Sequence, residues 1–343
     1  MNARSVRFPL FDSLRAIAAI CVVATHAAFF SGFEGTDSPL VAYTARLEVG
    51  VAVFFLISGF LLYRPFVAAR MAEEPGPASG AYAWRRLLRI VPAYWLALTV
   101  TALVLGLPRV FTLEGGAIYY GFAQIYSSEY VIGGLPQAWS LCTELSFYAF
   151  LPLFALALRA LPLRTRRARY LSEAAALVLI SLIAVAWKLW RVSLAADPDH
   201  ANAVQGLLYL PAFLDQFAIG MGLAVMSVAI AERGGELWRW LRPIDRLPAL
   251  GWALALVAFW AVSTRIGLDG RNPVQASVTK AQYLERHYLY GLVGLGVLLP
   301  AVFGDQSRGL VRRLLGWRVL AYLGVVSYGI YLWHYGVFLQ LYE

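Results

Sequence analysis

Residues 11–30 read FDSLRAIAAICVVATHAAFF, an apolar stretch long enough to cross a lipid bilayer that still carries an aspartate, an arginine and a histidine. At 100° per residue, Asp12, Arg15 and His26 fall within about 60° of one another around a helix. Eleven residues separate the arginine from the histidine, which is roughly 16 Å along a straight helix. The stretch therefore predicts a membrane helix with one polar face, with the arginine near one surface and the histidine well inside.

Apolar runs of similar length recur along the whole chain, which has 343 residues, 60% of them hydrophobic and 14% charged. This composition predicts an all-α, polytopic transmembrane bundle forming a single domain over residues 1–343. Another stretch, 115–126 (GGAIYYGFAQIY), is short and glycine-rich and predicts a re-entrant or surface-lying segment, giving about ten helices. Nine runs are long enough to span, at 9–30, 48–69, 90–107, 139–161, 170–190, 206–230, 247–264, 287–304 and 319–341.

Basic residues test this topology, because lysine and arginine concentrate in cytoplasmic loops. With nine crossings and a cytoplasmic N-terminus, 21 of the 29 basic residues fall on the inner side. A crossing at 115–126 would place the arginine-rich loop 159–169 outside, so the pattern predicts a multi-pass cell-membrane protein in which 115–126 does not cross. The basic residues on the outer side are Arg46, Arg109, Lys188, Arg191, Arg265, Arg271, Lys280 and Arg286.

The net charge of +9 has the same explanation, since basic inner loops face anionic lipid, and it gives no support to nucleic-acid binding. Both cysteines, Cys21 and Cys142, fall within predicted spans, so neither a disulfide framework nor a metal site is expected. The first apolar run lacks a small-residue cleavage site, which favours a retained helix over a signal peptide.

Ionisable groups at bilayer depth are costly, and each is a functional candidate by default. Outside the first span they are Glu144, Asp215 and His334. From the direction of each span, His26, Glu144 and His334 all fall in the outer half of the membrane, which predicts a shared polar cavity. We expect a histidine–carboxylate pair in which Glu144 orients His26 and raises its basicity.

Polar stripes at helical spacing accompany two of these groups. Several structural roles stay open beside the functional ones. His334 also fits an aromatic belt, Glu144 an interhelical hydrogen bond, and Asp215 either helix packing or substrate binding. Asp12 is expected to pair with Arg15 or to cap the first helix. The stripes are Ser140, Glu144 and Tyr148, and Ser327, Tyr331 and His334.

Arginines at the start of the third span, in YAWRRLLRIVPAYW, form a candidate anion site with Arg15 and Arg64 at a similar level. Guanidinium forks suit phosphates, although the preference of basic residues for inner loops also accounts for them. Gly59, which follows Ser58 in FFLISGFLLYRPF, allows close approach and is chiefly a helix-packing signal. The arginines of the third span are Arg85, Arg86 and Arg89.

In this order, the strings FDSLRAIAAICVVATH, VFFLISGFLL, RRLLRIVPAYW, WSLCTELSFY and SYGIYLWH resemble the acyltransferase-3 family of integral-membrane acyltransferases, over essentially the whole chain. The resemblance implies transfer of an acyl group from cytoplasmic acyl-CoA to an acceptor, often an envelope sugar or a glycosylated small molecule. It also implies that Arg15 and His26 are the functional pair and that Glu144 is the acidic residue of the WSLxxE string. The family is usually drawn with ten membrane spans, one more than the distribution of basic residues in this sequence supports.

We therefore expect an acyl-CoA-dependent O-acyltransferase that uses acetyl-CoA or another short acyl-CoA, with a carbohydrate, glycolipid or glycosylated small-molecule acceptor and no metal. The lipid bilayer is its other partner. Ser58, Tyr148 and His334 are candidate donors to the oxyanion of the transition state. The expected catalytic residues are His26 as base, Glu144 and Arg15. The expected acyl-CoA-binding residues are Arg15, Arg64, Arg85, Arg86, Arg89 and Ser58. The expected substrate-binding residues are Asp12, Tyr148, Asp215 and His334.

A proton-coupled transporter or flippase of a polar envelope precursor is the main alternative, because membrane-embedded histidines and carboxylates also suit proton coupling. The absence of an inverted repeat argues against it. A sensor or scaffold is the weaker alternative, since the loops are short. For the enzyme, direct transfer and an acyl-histidine relay are both open, and the outer loops 191–205 and 265–286 are candidate acceptor-recognition segments.

Overall fold

The computed structural model describes residues 8–194, 205–268 and 279–342. Within these ranges the chain forms α-helices and short 3-10 turns and no strand, which confirms the all-α prediction. Each of the nine predicted spans coincides with a long helix. The long helices are α1 (Leu10–Phe30), α3 (Gly50–Met71), α4 (Ser79–Val104), α6 (Trp139–Ala160), α7 (Arg166–Leu194), α8 (Leu210–Glu232), α10 (Ala249–Thr264), α11 (Lys280–Val302) and α13 (Arg318–Tyr342). The short helices are α2 (Val41–Thr44), α5 (Leu113–Tyr120), α9 (Arg242–Arg246) and α12 (Leu310–Leu315).

The helices have the length and composition of a multi-pass membrane protein. Helix α10 is apolar but has only 16 residues. Helices α11 and α13 are long enough to cross but carry more polar residues and tyrosines. Six segments of the described chain are both long and apolar enough to cross: Leu10–Phe30, Val41–Met71, Ser79–Val104, Pro136–Ala160, Arg166–Leu194 and Gln205–Glu232.

The doubtful segment 115–126 does not cross. Its helix, α5, has eight residues, so it is about 12 Å long, far short of the roughly 30 Å hydrocarbon core. Thr112 begins the helix, because its Oγ1 accepts a hydrogen bond from the Gly115 N–H at 3.0 Å. Gly121 ends the helix, and Phe122 follows at φ 57°. The Tyr94 hydroxyl ties α5 to α4 by donating to the Tyr119 carbonyl at 3.0 Å.

Contacts between Cα atoms group the chain into two units. Unit 1 comprises residues 1–68 and 216–331, and unit 2 comprises residues 69–215 and 332–343. The boundaries between the units fall within α3, α8 and α13. A single domain over residues 1–343 stays a prediction.

In unit 1, glycines bring the backbones of α3 and α8 into contact. A Cβ atom added at Gly59 would overlap the Phe217 carbonyl oxygen, and one at Gly220 would overlap the Leu56 carbonyl oxygen. The rings of Phe11 on α1 and Phe60 on α3 stack at 5.1 Å between centroids. The helix-packing interpretation of Gly59 is therefore confirmed.

One end of unit 1 gathers three segments that the charge pattern places on the inner side. Ser13, near the start of α1, donates to the Leu315 carbonyl of α12 at 2.5 Å. Arg312 of α12 is fully buried; its Nε donates to the Pro300 carbonyl at 2.9 Å, and its Nη1 lies 3.6 Å from the Asp245 carboxylate. The start of α1 and the α8–α10 and α11–α13 connections thus meet at this end.

Unit 2 shows the same grouping. Arg70, at the end of α3, forms a buried ion pair with Glu173 on α7 at 2.6 Å. Arg159, at the end of α6, donates to the Glu74 carbonyl at 2.7 Å. The end of α3, the end of α6 and the start of α7 therefore lie together, so α4 and α6 form one outward and one inward pass. This arrangement agrees with a non-crossing segment between them.

The structure adds two details to the predicted topology. The third span was expected to begin at residue 90, whereas α4 begins at Ser79, so its arginines lie on the second and third turns of a continuous helix. Lys188, which falls within the predicted span 170–190 and on the outer side by the charge count, lies within α7, fully buried and paired with Asp215 of α8. Packing of α7 against α8 keeps Lys188 inside the bundle.

Candidate active site

His26 lies late in α1, half-buried in unit 1, with its ring oriented by its own helix. The Nδ1 atom is 3.0 Å from the Val22 carbonyl oxygen. A carbonyl oxygen only accepts, so this bond requires the hydrogen on Nδ1 and leaves the lone pair on Nε2. The backbone thus selects the tautomer with the lone pair on Nε2, whereas the sequence predicts that a carboxylate orients this ring.

Asp12 and Arg15 form the polar group at the other end of α1. The Arg15 Nη1 atom lies 3.0 Å from the Asp12 carboxylate, one turn away, which confirms the expected pairing. Both side chains keep some solvent exposure, 17% for Arg15 and 35% for Asp12. The pair holds the guanidinium near the end of the helix and leaves part of its edge accessible.

Helix α3 carries Ser58 and Arg64 in the same unit. Ser58 is half-buried and precedes Gly59, where α3 meets α8. Arg64 is only 5% exposed; its Nε donates to the Ser227 hydroxyl at 3.0 Å, and its guanidinium lies 5.2 Å from the Phe8 ring centroid. Arg64 is therefore more deeply embedded than Arg15.

In unit 2, the acidic stripe of α6 and the arginines of α4 belong to one electrostatic cluster. The Tyr148 hydroxyl donates to the Glu144 carboxylate at 2.7 Å, as the spacing of four residues predicts. The charges of Arg86 and Arg89 act on that hydroxyl, and the charges of Arg86 and Glu144 act on the hydroxyl of Tyr82. The arginines expected at the inner surface are therefore close enough to the α6 stripe to act on it electrostatically.

The three arginines of α4 differ in their surroundings. Arg85 and Arg89 are exposed, whereas Arg86 is half-buried. The Nε atom of Arg86 is fully buried and has no hydrogen-bond partner within the described ranges. A buried guanidinium nitrogen of this kind suits an anionic ligand, since an unmet buried donor costs free energy.

Asp215 is paired with a basic residue of the predicted span 170–190, a contact that the sequence did not predict. Its carboxylate pairs with the Lys188 ammonium group, which also donates to the Ala212 carbonyl at 3.3 Å. The exposed fractions are 0% for Lys188 and 8% for the Asp215 side chain. This contact favours helix packing, one of the two roles left open for Asp215.

His334 is buried near the end of α13 in unit 2. Its ring packs against Phe338 at 6.0 Å and Tyr335 at 6.4 Å between centroids. The neighbouring Leu332 carbonyl accepts a hydrogen bond from the Gln137 amide at 2.8 Å, so His334 lies close to the start of α6. The aromatic rings around His334 agree with a place in an aromatic belt. The nearby Gln137 side chain is polar, so a role of His334 in substrate binding stays a prediction.

Another polar cluster, which the sequence analysis did not single out, lies beside the second half of α1. The Glu48 carboxylate accepts hydrogen bonds from Arg286 and Tyr290, each at 3.0 Å. Burial raises the pKa of nearby Glu34, opposed by the charge of Arg46. The signal available in the sequence was the pair of outer-side arginines, Arg46 and Arg286, which were counted only for topology.

Comparison with known proteins identifies the family. Residues 9–342 match the acyltransferase domain family. The chain belongs to this family. The acyltransferase MdmB of Streptomyces mycarofaciens is 28% identical over 98% of this chain and 80% of its own length. The resemblance seen in the sequence motifs is thus confirmed, and the chain is a membrane acyltransferase.

Two further relatives of this acyltransferase carry names that refer to peptidoglycan. The putative peptidoglycan O-acetyltransferase YrhL of Bacillus subtilis is 26% identical over 96% of the chain, and the peptidoglycan O-acetyltransferase OatA of Listeria monocytogenes is 24% identical over 96%. The chain spans about half the length of these two relatives, 48% and 49%. No solved structure matches the acyltransferase significantly.

The expected site residues of the acyltransferase are divided between the units. Unit 1 holds Asp12, Arg15, His26, Ser58 and Arg64, and unit 2 holds Arg85, Arg86, Arg89, Glu144, Tyr148, Asp215 and His334. Parts of the expected acceptor loops, 195–204 and 269–278, lie outside the described residues. Within the described ranges, no group of three or more histidine, cysteine, aspartate or glutamate side chains is placed to hold a metal ion.

Proposed function

We propose that the chain transfers an acetyl or other short acyl group from cytoplasmic acyl-CoA to a hydroxyl group of a carbohydrate, glycolipid or glycosylated small molecule, with His26 as the base. The observation that carries the proposal is the bond from His26 Nδ1 to the Val22 carbonyl, which leaves the lone pair on Nε2. A half-buried imidazole in this tautomer is suited to accept a proton from a hydroxyl group near neutral pH.

The reaction is a single acyl transfer. The acceptor oxygen attacks the thioester carbonyl carbon, the C–S bond breaks, and the acceptor ester and CoA are formed. The hydroxyl proton passes to His26 Nε2 and then to the leaving CoA sulfur, so that the histidine returns to its starting state. Donors to the oxyanion are proposed among Ser58, Tyr148 and His334.

Acyl-CoA binding is proposed at the arginines. The partly exposed Arg15, the exposed Arg85 and Arg89, and the buried Nε donor of Arg86 suit the phosphates of CoA. Arg64, held by Ser227, contributes positive charge from a fixed position. The roughly 16 Å between Arg15 and His26 along α1 suits an extended pantetheine arm that carries the thioester into the membrane.

The acceptor is proposed to bind toward the other end of α1. Glu144, with its hydrogen bond from Tyr148, is proposed to support the base, and Asp12 is proposed to keep Arg15 in place. Hydrogen-bonding groups of the Glu48–Arg286 cluster suit sugar hydroxyls. Relatives named as peptidoglycan O-acetyltransferases favour a carbohydrate acceptor.

The proposed location is the cell membrane with a cytoplasmic N-terminus. Support comes from the basic segments that meet at one end of each unit. In unit 1 they are joined by the hydrogen bond from Ser13 to the Leu315 carbonyl and by the contact of Arg312 with Asp245, and in unit 2 by the ion pair of Arg70 with Glu173. Such ends face the cytoplasm in most membrane proteins.

The test is the release of CoA from acetyl-CoA by the purified full chain in detergent, with and without a mixture of envelope glycans and glycosides. Chromatographic detection of CoA is preferable to a thiol reagent, because the chain has two free cysteines. The test variant is His26→Gln, and the matched control is His287→Gln, which makes the same chemical change on α11. We expect acceptor-dependent release that His26→Gln reduces by at least about 100-fold, the range of general base catalysis.

A His26→Gln protein that is folded and retains wild-type activity would refute the role of His26. If neither binding nor turnover of any acyl-CoA is detected, the donor proposal fails and a transport function gains weight. If CoA is released at the same rate when the acceptor mixture is omitted, water is the acyl acceptor. The protein is then a thioesterase, and the proposed acceptor class is wrong.

A further inference from the structure

We propose that the α8–α10 connection holds an anionic-lipid site that recognises a phosphate-bearing headgroup. An open cavity of about 370 Å³ lies in this connection in unit 1. Its size suits a phosphoglycerol headgroup, and three of its lining residues are arginines. The lining residues are Arg239, Arg242, Pro243, Arg246, Leu247 and Leu250.

The three arginines of this cavity are available to a ligand. Arg239, Arg242 and Arg246 are exposed, and none of them forms an ion pair or hydrogen bond to a side chain or backbone group in the part of the chain that the structure describes. Asp245, the acidic residue between them, is turned away toward the buried Arg312. Three unpaired guanidinium groups around one cavity favour a ligand with more than one anionic oxygen.

The wall of the cavity is fixed in place. Arg312 donates from Nε to the Pro300 carbonyl at 2.9 Å and from Nη1 to the Asp245 carbonyl at 3.2 Å. It thereby binds carbonyl groups at the ends of both α11 and α9. The backbone of helix α9, which carries Arg242 and Arg246, is therefore anchored, so ligand binding has to order only the arginine side chains and not the helix.

Apolar residues beside the arginines favour a lipid over a soluble phosphate. Leu247 and Leu250 in the cavity are 54% and 43% exposed, and Trp240 beside it is 63% exposed. The Trp238 and Trp240 rings stack at 5.8 Å. Tryptophan side chains at this position, between the apolar helices α8 and α10, are typical of the membrane interface, where arginines contact headgroups and leucines contact acyl chains.

The test measures phosphatidylglycerol binding to the purified full chain by native mass spectrometry in a neutral detergent, with phosphatidylcholine as the zwitterionic comparison. The pocket variant is Arg242→Gln/Arg246→Gln. The matched control is Arg164→Gln/Arg167→Gln, which removes the same charge from one exposed position in the loop before α7 and one in the first turn of α7. We expect about a fivefold loss per pocket arginine, about 25-fold in the double variant, and a change within about twofold in the control.

Equal losses in the pocket and control variants would show diffuse attraction to basic loops and would overturn the site. Displacement of phosphatidylglycerol by millimolar inorganic phosphate or CoA would show a soluble ligand and would overturn the lipid assignment. Because the arginine side chains of the cavity are exposed, the variants are expected to have the same melting temperature as the wild type. If the double variant is less stable, Arg239→Gln gives a second measurement at the same cavity with the loss of a single charge.

Discussion

The buried ion pair between Lys188 and Asp215 provides the sharpest test of the packing in unit 2. Lys188 is fully buried, and it also donates a hydrogen bond to the Ala212 carbonyl at 3.3 Å. Replacing Lys188 by methionine keeps the apolar stem and leaves a buried carboxylate without its counter-charge. Replacing Asp215 by asparagine keeps the shape and leaves a buried ammonium group.

The expected cost follows from burial. Two unit charges about 4 Å apart interact by about 4 kcal/mol at an effective dielectric of about 20. Removal of one partner of a buried pair costs about 3–5 kcal/mol in soluble proteins, because the other charge is left uncompensated. A bilayer lowers this value, since partly unfolded helices find other polar partners there, so we expect about 2–4 kcal/mol for each single variant.

The assay is reversible unfolding in mixed micelles for the wild type, Lys188→Met, Asp215→Asn and the double variant. The double variant is expected to regain at least about 1 kcal/mol relative to the sum of the single variants, because no uncompensated charge remains. The same samples are tested for acyl transfer. A folded double variant that is active supports helix packing, whereas a folded but inactive one supports substrate binding by Asp215. Single variants that each cost less than about 0.5 kcal/mol and are additive would refute the reasoning.

Two further predictions concern packing in unit 1. Gly59→Ala is expected to lower the free energy of unfolding by about 1–3 kcal/mol, because the new methyl group overlaps the Phe217 carbonyl of α8. The control is Gly329→Ala, where the added Cβ atom would have no neighbour within 4 Å. This variant should be as stable as the wild type or more stable in the same unfolding assay. Arg312→Gln is expected to cost about 3–5 kcal/mol, because carbonyl groups of α9 and α11 lose a buried charged donor. At the exposed neighbouring position, Arg313→Gln should change the free energy of unfolding by no more than about 0.5 kcal/mol. Equal changes in melting temperature for the two arginine variants would contradict the proposed role of Arg312 in binding the carbonyl groups of α9 and α11.

Most of the helical architecture could be read from the sequence, because the thickness of the bilayer sets the length of an apolar run. All nine long helices occur where spans were predicted, and α5 is too short to cross, as the charge pattern indicated. Contacts within a helix were equally accessible. The Asp12–Arg15 and Glu144–Tyr148 pairs follow from spacings of three and four residues, which place side chains on one helix face.

Contacts between helices were decided by the tertiary structure. The sequence analysis counted Lys188 only as an outer-side basic residue, whereas in the structure it pairs with Asp215 of α8. Arg312 was counted only as an inner-loop basic residue, whereas in the structure it binds carbonyl groups of α9 and α11. The physical reason is that helical periodicity defines which residues share a face of one helix. It does not define which neighbouring helix meets that face, or how deeply a charged side chain is buried there.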